Sequence, residues 1–330
     1  MATLSVTNIF NLSKATLVKF GALDWIADAV ADAIAKSESV GNRICGLYYL
    51  ESYCLQLKSG RVRGDIEPIV SQEKAGIVRV DAKFGFAQPA FQRGIVPARE
   101  AALKNGICSL AIGHAHTCTS LGYFTEQIAK SNLIGIGFTN ASPIVAAPGG
   151  KSRIIGTNPI AFSVPDGKGN TVIHFDQSTT AVALGKITMA KAAGEKIPFG
   201  WALDKNGEPT ADPEAALEGS LVSSGGYKGW GFGLMAEVLA AGLAGGLASQ
   251  FVQPLKAKDG DPHNLGQYYI LIDPHNAPAL ENLLNDLETA VSKDEGTRLP
   301  GQGKVAEEFV VVPDDLLVLL EKLTGLKWKD

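Results

Sequence analysis

The sequence has little of what marks secreted, membrane or nucleic-acid-binding proteins. Its four cysteines among 330 residues show no Cys-x-x-Cys spacing, which argues against a disulfide framework and indicates reduced thiols. The first residues carry no basic segment followed by an apolar run, which is the pattern of a signal peptide. A net charge of −4 gives no electrostatic reason to bind nucleic acid or an anionic membrane. We therefore expect a cytoplasmic protein with no nucleic-acid partner and no membrane partner.

A dinucleotide fingerprint and a membrane span are also missing from the sequence. The glycine-rich residues 225–231 do not have the Gly-x-Gly-x-x-Gly spacing of a Rossmann fold. The main apolar run, residues 232–248, contains Glu237 and many small residues, so it predicts a buried helix and not a membrane span. Because this run is apolar on almost all sides, we expect the helix to be buried on most of its surface.

The middle of the chain alternates strands with glycine-rich loops. Strands are predicted at residues 107–112, 133–138, 160–164 and 172–175. A helix is predicted from about Leu121, and Asp176 follows the last strand. Strand ends and their loops commonly deliver side chains and backbone amides to ligands, so a binding site is expected there.

Helical patterns dominate both ends of the chain. Helices are predicted at residues 22–34, 44–58, 279–291 and 313–323. A strand at residues 4–6 and a polar loop precede the first of them. The second helix ends at Gly60 and places Cys45, Tyr49 and Tyr53 on one face, because these residues are four positions apart.

Two histidines, His114 and His116, alternate just before the helix predicted from Leu121. Such a pair could bind a metal ion, but no further His, Cys or Asp cluster in the sequence has metal-ligand spacing. We therefore predict no metal. Hydroxyl groups and the amides at a helix N-terminus suit a phosphate better.

Eight blocks of sequence then occur in a recognisable order. They are residues 134–140 (IGIGFTN), 156–162 (GTNPIAF), 176–179 (DQST), 185–187 (GKI), 200–204 (GWALD), 225–229 (GGYKG), 272–274 (IDP) and 298–301 (RLPG). Together they resemble the malate/L-lactate dehydrogenase family, which is unrelated to the Rossmann-fold dehydrogenases. That family includes sulfolactate and ureidoglycolate dehydrogenases and the ketimine reductases. Residues 80–90, VDAKFGFAQPA, look closest to the ketimine reductase branch.

The resemblance implies an α+β fold with a non-Rossmann, sheet-based cofactor domain and a helical domain built from both ends of the chain. We expect the helical domain at residues 1–75 plus 278–330, and the cofactor domain at residues 76–277. The resemblance also implies a homodimer. The apolar residues 232–248 agree with this, and so does an irregular arm at residues 197–213, which is long for a connection within one domain.

In the family, a Ser-His-Gly-x-x-Arg motif supplies the proton donor, its support and the anchor for the substrate carboxylate. Here Ile44, Cys45 and Tyr49 replace the Ser, His and Arg. A thiol can still donate a proton, and so can a phenol whose pKa is lowered. By resemblance, the predicted catalytic residues are Asp176 and Cys45, and the predicted substrate-binding residues are Arg43, Tyr49 and Tyr53. In the alternative interpretation, Cys45 and Tyr49 only pack, and Asp176 only caps a turn.

The resemblance further implies that several loops surround NADPH or NADH, with a slight preference for NADPH. The predicted cofactor-binding residues are His116, Thr117, Cys118, Thr119, Ser120, Leu121, Val164, Pro165, Asp166, Tyr227, Lys228, Arg298, Gly301 and Lys304. Among them Lys228, Arg298 and Lys304 are the cations available for phosphates. Each of these three, taken alone, also fits an ordinary solvated surface charge.

The predicted function is NAD(P)H-dependent reduction of a small cyclic imine carboxylate, Δ1-pyrroline-2-carboxylate or Δ1-piperideine-2-carboxylate, to L-proline or L-pipecolate. An imine relaxes the need for a positioned acid, because its nitrogen can already carry a proton when the hydride arrives. The alternatives are a 2-hydroxy-acid/2-oxo-acid dehydrogenase of the same family and a catalytically impaired member that binds a nucleotide or a partner.

Overall fold

Three sheets organise the chain. The computed structural model describes residues 2–275 and 277–328, whose strands form sheets of seven, five and two strands. The strands are β1 Ala2–Ser5, β2 Ile69–Lys74, β3 Ile77–Asp81, β4 Ile107–Ala115, β5 Ile134–Thr139, β6 Val145–Ala146, β7 Arg153–Ile155, β8 Ile160–Pro165, β9 Thr171–Gln177, β10 Ala202–Leu203, β11 Pro209–Thr210, β12 Ser220–Leu221, β13 Leu265–Ile272 and β14 Phe309–Val312.

Helices cover the sheets and form most of the N-terminal region. They are α1 Val6–Lys19, α2 Asp24–Ser39, α3 Leu50–Ser59, α4 Ala87–Asn105, α5 Gly122–Lys130, α6 Leu184–Ala193, α7 Pro213–Glu218, α8 Tyr227–Glu237, α9 Pro278–Val291 and α10 Asp314–Thr324. A π-helical turn, Val238–Leu243, continues α8.

The largest sheet has the strand order β2-β3-β4-β13-β5-β8-β9. Only β3 and β4 run parallel, and every other neighbouring pair in this sheet is antiparallel. Helices α4 and α5 pack on one face, while the π-helical turn packs against β13, β4 and β5. A mostly antiparallel sheet is not the parallel, doubly wound sheet of a Rossmann fold. The predicted non-Rossmann α+β class is therefore confirmed.

The two ends of the chain share one hydrophobic core. Strand β1 pairs with β14, and buried Leu4, Ile9 and Val30 pack in one cluster with Val310 and Leu320. This agrees with the expected helical domain, although β2 pairs with β3 in the large sheet. The division into residues 1–75 plus 278–330 and residues 76–277 stays a proposal.

The four predicted central strands and the helices at both ends are confirmed, except that the segment at 44–58 differs, as described below. The polar loop predicted before the first helix is wrong, because α1 occupies it. Ser5 caps α1 by accepting a hydrogen bond from the Asn8 amide, and Ile9 and Leu17 bury one face among polar neighbours. The arm at residues 197–213 is not free either, since β10 and β11 pair within the five-stranded sheet.

The apolar run at residues 232–248 forms the end of α8 and the π-helical turn. The sequence predicted that this run would be buried on most sides. Within a single chain that prediction is wrong, because Phe232 is 55% exposed and Val238 is 60% exposed. Over the described parts of the chain, no helix combines the length and the apolar character needed to cross a membrane.

Candidate active site

Asp176 is held at the end of β9 by the start of α5. Its Oδ2 accepts a hydrogen bond of 2.8 Å from the Gly122 amide and one of 3.4 Å from the Ser120 hydroxyl. A side chain at Gly122 would not fit, because a Cβ there would lie 2.8 Å from the Asp176 Cβ and 2.9 Å from the His174 ring. The sequence therefore has a glycine at this close approach of α5 and β9.

The Asp176 carboxyl group meets solvent on one side and is enclosed by protein on the others. This enclosure raises its pKa above the ordinary value, while the hydrogen bonds from Gly122 and Ser120 and the charge of Lys304 act in the opposite direction. Asp176 is therefore a carboxylate that is more basic than one in water, as a group that must accept or stabilise a proton requires.

The segment predicted as one helix at residues 44–58 is broken. Two short 3₁₀ turns, Arg43–Cys45 and Leu47–Tyr49, precede α3, which begins only at Leu50. The break lies at Gly46, over the buried Glu38, whose Oε1 accepts a 2.7 Å hydrogen bond from the Leu47 amide. A Cβ at Gly46 would lie 2.2 Å from that same oxygen, so a larger residue there would force the Glu38 side chain to move.

Cys45, Tyr49 and Tyr53 come together despite this break. The rings of Tyr49 and Tyr53 are 5.8 Å apart, and the Tyr53 hydroxyl donates to Thr119 Oγ1 at 3.4 Å. Burial raises the pKa of Cys45 to about 12, with a further contribution from the charge of Asp176. Burial also raises the pKa of both tyrosines. The site therefore presents a neutral thiol and neutral phenols to a ligand.

Arg43 lies on the surface beside this group. Its charge acts on Glu38, where it opposes the rise in pKa that burial causes. The predicted contact between Arg43 and a substrate stays a prediction.

The two histidines of the predicted cofactor loop have different surroundings. His114 Nδ1 lies 3.0 Å from Asp81 Oδ1 near the surface. His116 is buried, with its ring stacked on His263 at 3.9 Å and its Nε2 2.7 Å from Gln56 Oε1. No group of three or more His, Cys, Asp or Glu residues suited to a metal occurs in the residues that the structure describes.

The rest of that loop leads toward Asp176. The Thr117 amide donates to His263 Nδ1 at 3.3 Å, and the buried Cys118 has a pKa raised by its burial. Thr119 and Ser120 are partly exposed, whereas Leu121 is fully buried before α5 begins. The structure therefore places Thr119 and Ser120 at the site, with His116 and Leu121 behind them.

Two neighbouring cavities follow β9 away from Asp176. The larger, of about 1170 Å³, lies between α9 and the loops that contain Pro165, Asp166 and Lys304. The smaller, of about 200 Å³, is lined by Ser120, His174 and Lys304. Thr171, Gly301 and Lys304 line both cavities. Val164, by contrast, is buried in β8.

His174 is a residue of the site that the sequence reasoning missed. Its Nδ1 lies 2.8 Å from the Ser163 hydroxyl, and its backbone amide donates to the Pro300 carbonyl at 2.8 Å. Gly301 has a φ of 88° and fits against the His174 backbone, where a Cβ would be 2.8 Å from that of the histidine. Period-two alternation along β9 would have placed His174 on the same face as Asp176.

The remaining predicted cofactor residues lie further out. Tyr227 and Lys228 are exposed at the start of α8, after Gly225 and Gly226, which both have positive φ. The Ser224 amide donates to the Thr179 carbonyl at 2.9 Å, so this helix start lies beside the chain that follows Asp176. Arg298 is exposed, and its side chain lies close to Gly303. A Cβ added at that glycine would be 3.8 Å from Nη1 of the arginine.

Comparison with known proteins relates this arrangement to a family. The family model for malate/L-lactate dehydrogenase matches residues 4–307. The chain belongs to the malate/L-lactate dehydrogenase family. The resemblance read from the sequence is thereby confirmed, and the chain is an oxidoreductase.

Two relatives illustrate the range of the malate/L-lactate dehydrogenase family. The chain is 38% identical to the (2R)-3-sulfolactate dehydrogenase (NADP(+)) of Chromohalobacter salexigens, over 90% of this chain and 89% of the relative. It is 36% identical to the Delta(1)-pyrroline-2-carboxylate reductase of Ancylobacter novellus, over 91% of this chain and 89% of the relative. Among solved structures, the delta1-piperideine-2-carboxylate reductase of Pseudomonas syringae pv. tomato superposes with a TM-score of 0.88 at 32% identity, covering 98% of this chain and all of that one.

Proposed function

We propose that this member of the family reduces a small cyclic imine carboxylate, Δ1-pyrroline-2-carboxylate or Δ1-piperideine-2-carboxylate, to L-proline or L-pipecolate with NAD(P)H. The observation that carries the proposal is Cys45, a partly buried thiol near Asp176 that takes the place of the family's proton-donating histidine. Several relatives at 31–36% identity are named as reductases of these imines.

The cavities beside β9 support a dinucleotide. The larger cavity, of about 1170 Å³, slightly exceeds the roughly 300–1,000 Å³ of ordinary small-molecule sites, and Lys168 and Lys304 on its wall offer cations to phosphates. Thr171 lines both cavities, and its buried hydroxyl has no hydrogen-bond partner within the described residues. When bound, the reduced nicotinamide supplies the hydride to the imine carbon. The sulfolactate relative is named for NADP(+), which supports the slight preference for NADPH.

The protein's own residues then handle charge and protons. In this proposal, the ionised Asp176 stabilises the protonated imine nitrogen, while Thr119, Tyr49 and Tyr53 shape the pocket around the ring. Because the nitrogen enters with its proton, the product is a neutral amine and no side chain needs to donate. The Cys45 thiol lines the pocket and keeps its own proton at neutral pH.

The second candidate is reduction of a 2-oxo acid, which the 38% identity to a sulfolactate dehydrogenase favours. In that reaction oxygen gains negative charge as hydride arrives, so an acid must donate. Cys45 would have to be that acid, with a pKa poorly matched to the task.

Assembly and location are part of the proposal. The exposed apolar side chains of Phe232 and Val238 support a homodimer in which a second copy covers the end of α8. Sedimentation of a stable monomer at micromolar concentration would contradict this. The four cysteines, all of them free thiols, support a cytoplasmic location.

The function is tested by following the oxidation of NADPH and of NADH with Δ1-pyrroline-2-carboxylate, pyruvate or oxaloacetate. We expect turnover with the imine. Turnover with the oxo acids alone would establish the second candidate. No turnover with any of them, while the dinucleotide still binds, would indicate the catalytically impaired member.

A further inference from the structure

Lys256 lies against Tyr48 and against Tyr49, and the second of these tyrosines lines the proposed substrate pocket. Its Nζ is 3.0 Å from the centre of the Tyr48 ring and 4.6 Å from that of Tyr49. It also donates a 3.1 Å hydrogen bond to the Tyr48 carbonyl oxygen. Ammonium groups are attracted to aromatic faces, so the rings of Tyr48 and Tyr49 hold the Lys256 ammonium group in place.

The backbone on both sides of Lys256 is fixed by one buried side chain. The Gln56 amide donates to the carbonyl of Leu255 at 2.9 Å and to that of Ala257 at 2.7 Å. Gln56 belongs to α3, the helix that also carries Tyr53, and it is fully buried. The position of Lys256 is therefore tied to the helix that forms the wall of the pocket.

A second layer orients Gln56. Because its nitrogen donates to two carbonyls, its oxygen must accept from His116, whose ring is stacked on His263. Arg61 donates to the carbonyls of Ala257 and Asp261 in the same loop. Burying so many polar groups is costly unless their geometry is well satisfied, and the network links the lysine loop to the loop that carries Thr119 and Ser120.

Lys256 has no carboxylate within ion-pair distance in the part of the chain that the structure describes. It is half-buried, and this desolvation lowers its pKa to about 8, while the charge of Glu51 acts in the opposite direction. A cation that is held in place, partly desolvated and without a counter-ion suits an anionic ligand.

We propose that Lys256 binds the carboxylate of the substrate beside Tyr49. This inference rests on the proposed function, whose substrates all carry a carboxylate. The other predicted anchors fit less well, because Tyr49 and Tyr53 are neutral and the charge of Arg43 acts on Glu38. Lys256 supplies the positive charge, and its contact with the Tyr49 ring holds that charge beside the proposed pocket.

The test compares Lys256→Ala and Lys256→Arg with a control, Lys258→Ala, whose side chain is exposed two residues away. For Lys256→Ala we expect KM for the imine carboxylate to rise roughly 10- to 100-fold with a much smaller change in kcat. Lys256→Arg should recover a large part of this loss, and Lys258→Ala should behave as wild type. With Δ1-pyrroline, which lacks the carboxylate, Lys256→Ala and wild type should be equal.

An unchanged KM in Lys256→Ala, or an equal loss with Δ1-pyrroline, would overturn the inference while the proposed function stands. A wild-type enzyme that reduces only oxo acids would overturn the proposed function, and the same KM ratio with those carboxylates would still test Lys256. If no substrate turns over, the role of Lys256 is tested by calorimetry, which measures the affinity of wild type and of Lys256→Ala for pyrrole-2-carboxylate, an unreactive planar analogue. Equal affinity for wild type and Lys256→Ala, or no binding to either, refutes the role of Lys256.

Discussion

The Gly122 amide donates a 2.8 Å hydrogen bond to Oδ2 of Asp176, and the glycine Cα faces that side chain without space for another atom. Helix α5 begins at this glycine, so the partial positive charge at its N-terminus also lies beside the carboxylate. The position of the proposed catalytic carboxylate therefore depends on the absence of a side chain on the neighbouring helix.

Gly122→Ala should damage activity more than folding. The new methyl group would meet the Asp176 Cβ and the His174 ring at under 3 Å, so the carboxylate must shift. We expect kcat/KM to fall roughly 100-fold, as small displacements of reacting groups do, with a loss of about 1–3 kcal/mol in stability. Steady-state kinetics and thermal unfolding measure the two effects. Gly76→Ala, where the methyl group meets nothing within 4 Å, is the control and should change neither.

Cys45 variants should separate the two candidate reactions. If the imine enters protonated, Cys45→Ala should retain imine reduction within about tenfold of wild type. Cys45→His should awaken reduction of oxo acids, because an imidazole near Asp176 is a much better proton donor than a thiol with a pKa of about 12. Kinetics with both substrate classes provide the measurement.

Two results would contradict this view of Cys45. Complete loss of imine reduction in Cys45→Ala, with dinucleotide binding intact, would make the thiol the proton donor. Oxo-acid reduction by Cys45→His that survives a second change, Asp176→Asn, would show that the aspartate does not support the new histidine.

The sequence predicted strands and helices best where a regular apolar pattern ended at residues that break it. The strand before Asp176 and the helix after Ser120 follow from apolar periodicity, and the family blocks placed Asp176 at the site. The break at Gly46 could not be foreseen, because it depends on the carboxylate of Glu38 lying under the turn. Helical spacing alone made residues 44–58 look continuous.

Lys256 shows a different limit. It is far in sequence from Tyr49, and its setting is created by Gln56 and His116, from two further segments. No local pattern connects these residues. His116 was predicted as a cofactor contact from its position in a loop, whereas its buried ring is engaged within the protein. Side-chain direction, unlike strand position, depends on which partners tertiary packing brings near.

Stability against acid should depend on the stacked histidines. Burial lowers the pKa of His116 well below its usual range and that of His263 to about 3, so both are neutral in the folded protein. In the unfolded chain they take up protons near pH 6.5. Below that pH the unfolded state binds more protons than the folded state, so stability falls as pH decreases. Each such histidine contributes about 1.4 kcal/mol per pH unit until its folded pKa is reached.

In the variant His263→Gln, the unfolded chain has one histidine fewer that can take up a proton in acid. The variant should be less stable than wild type at about pH 7, because it loses the stacking with His116 and the bond from the Thr117 amide. That deficit should shrink by roughly 1.4 kcal/mol per pH unit between about pH 6 and pH 4. Urea unfolding at several pH values measures it, and the exposed His275→Gln should leave the pH dependence of wild type unchanged. A deficit that stays constant with pH would mean that His263 takes up its proton in the folded protein as readily as in the unfolded chain. Burial raises the pKa values of Glu38 and Asp176, so these groups change stability in acid in the opposite direction. Their effect cancels in this comparison because both proteins contain them.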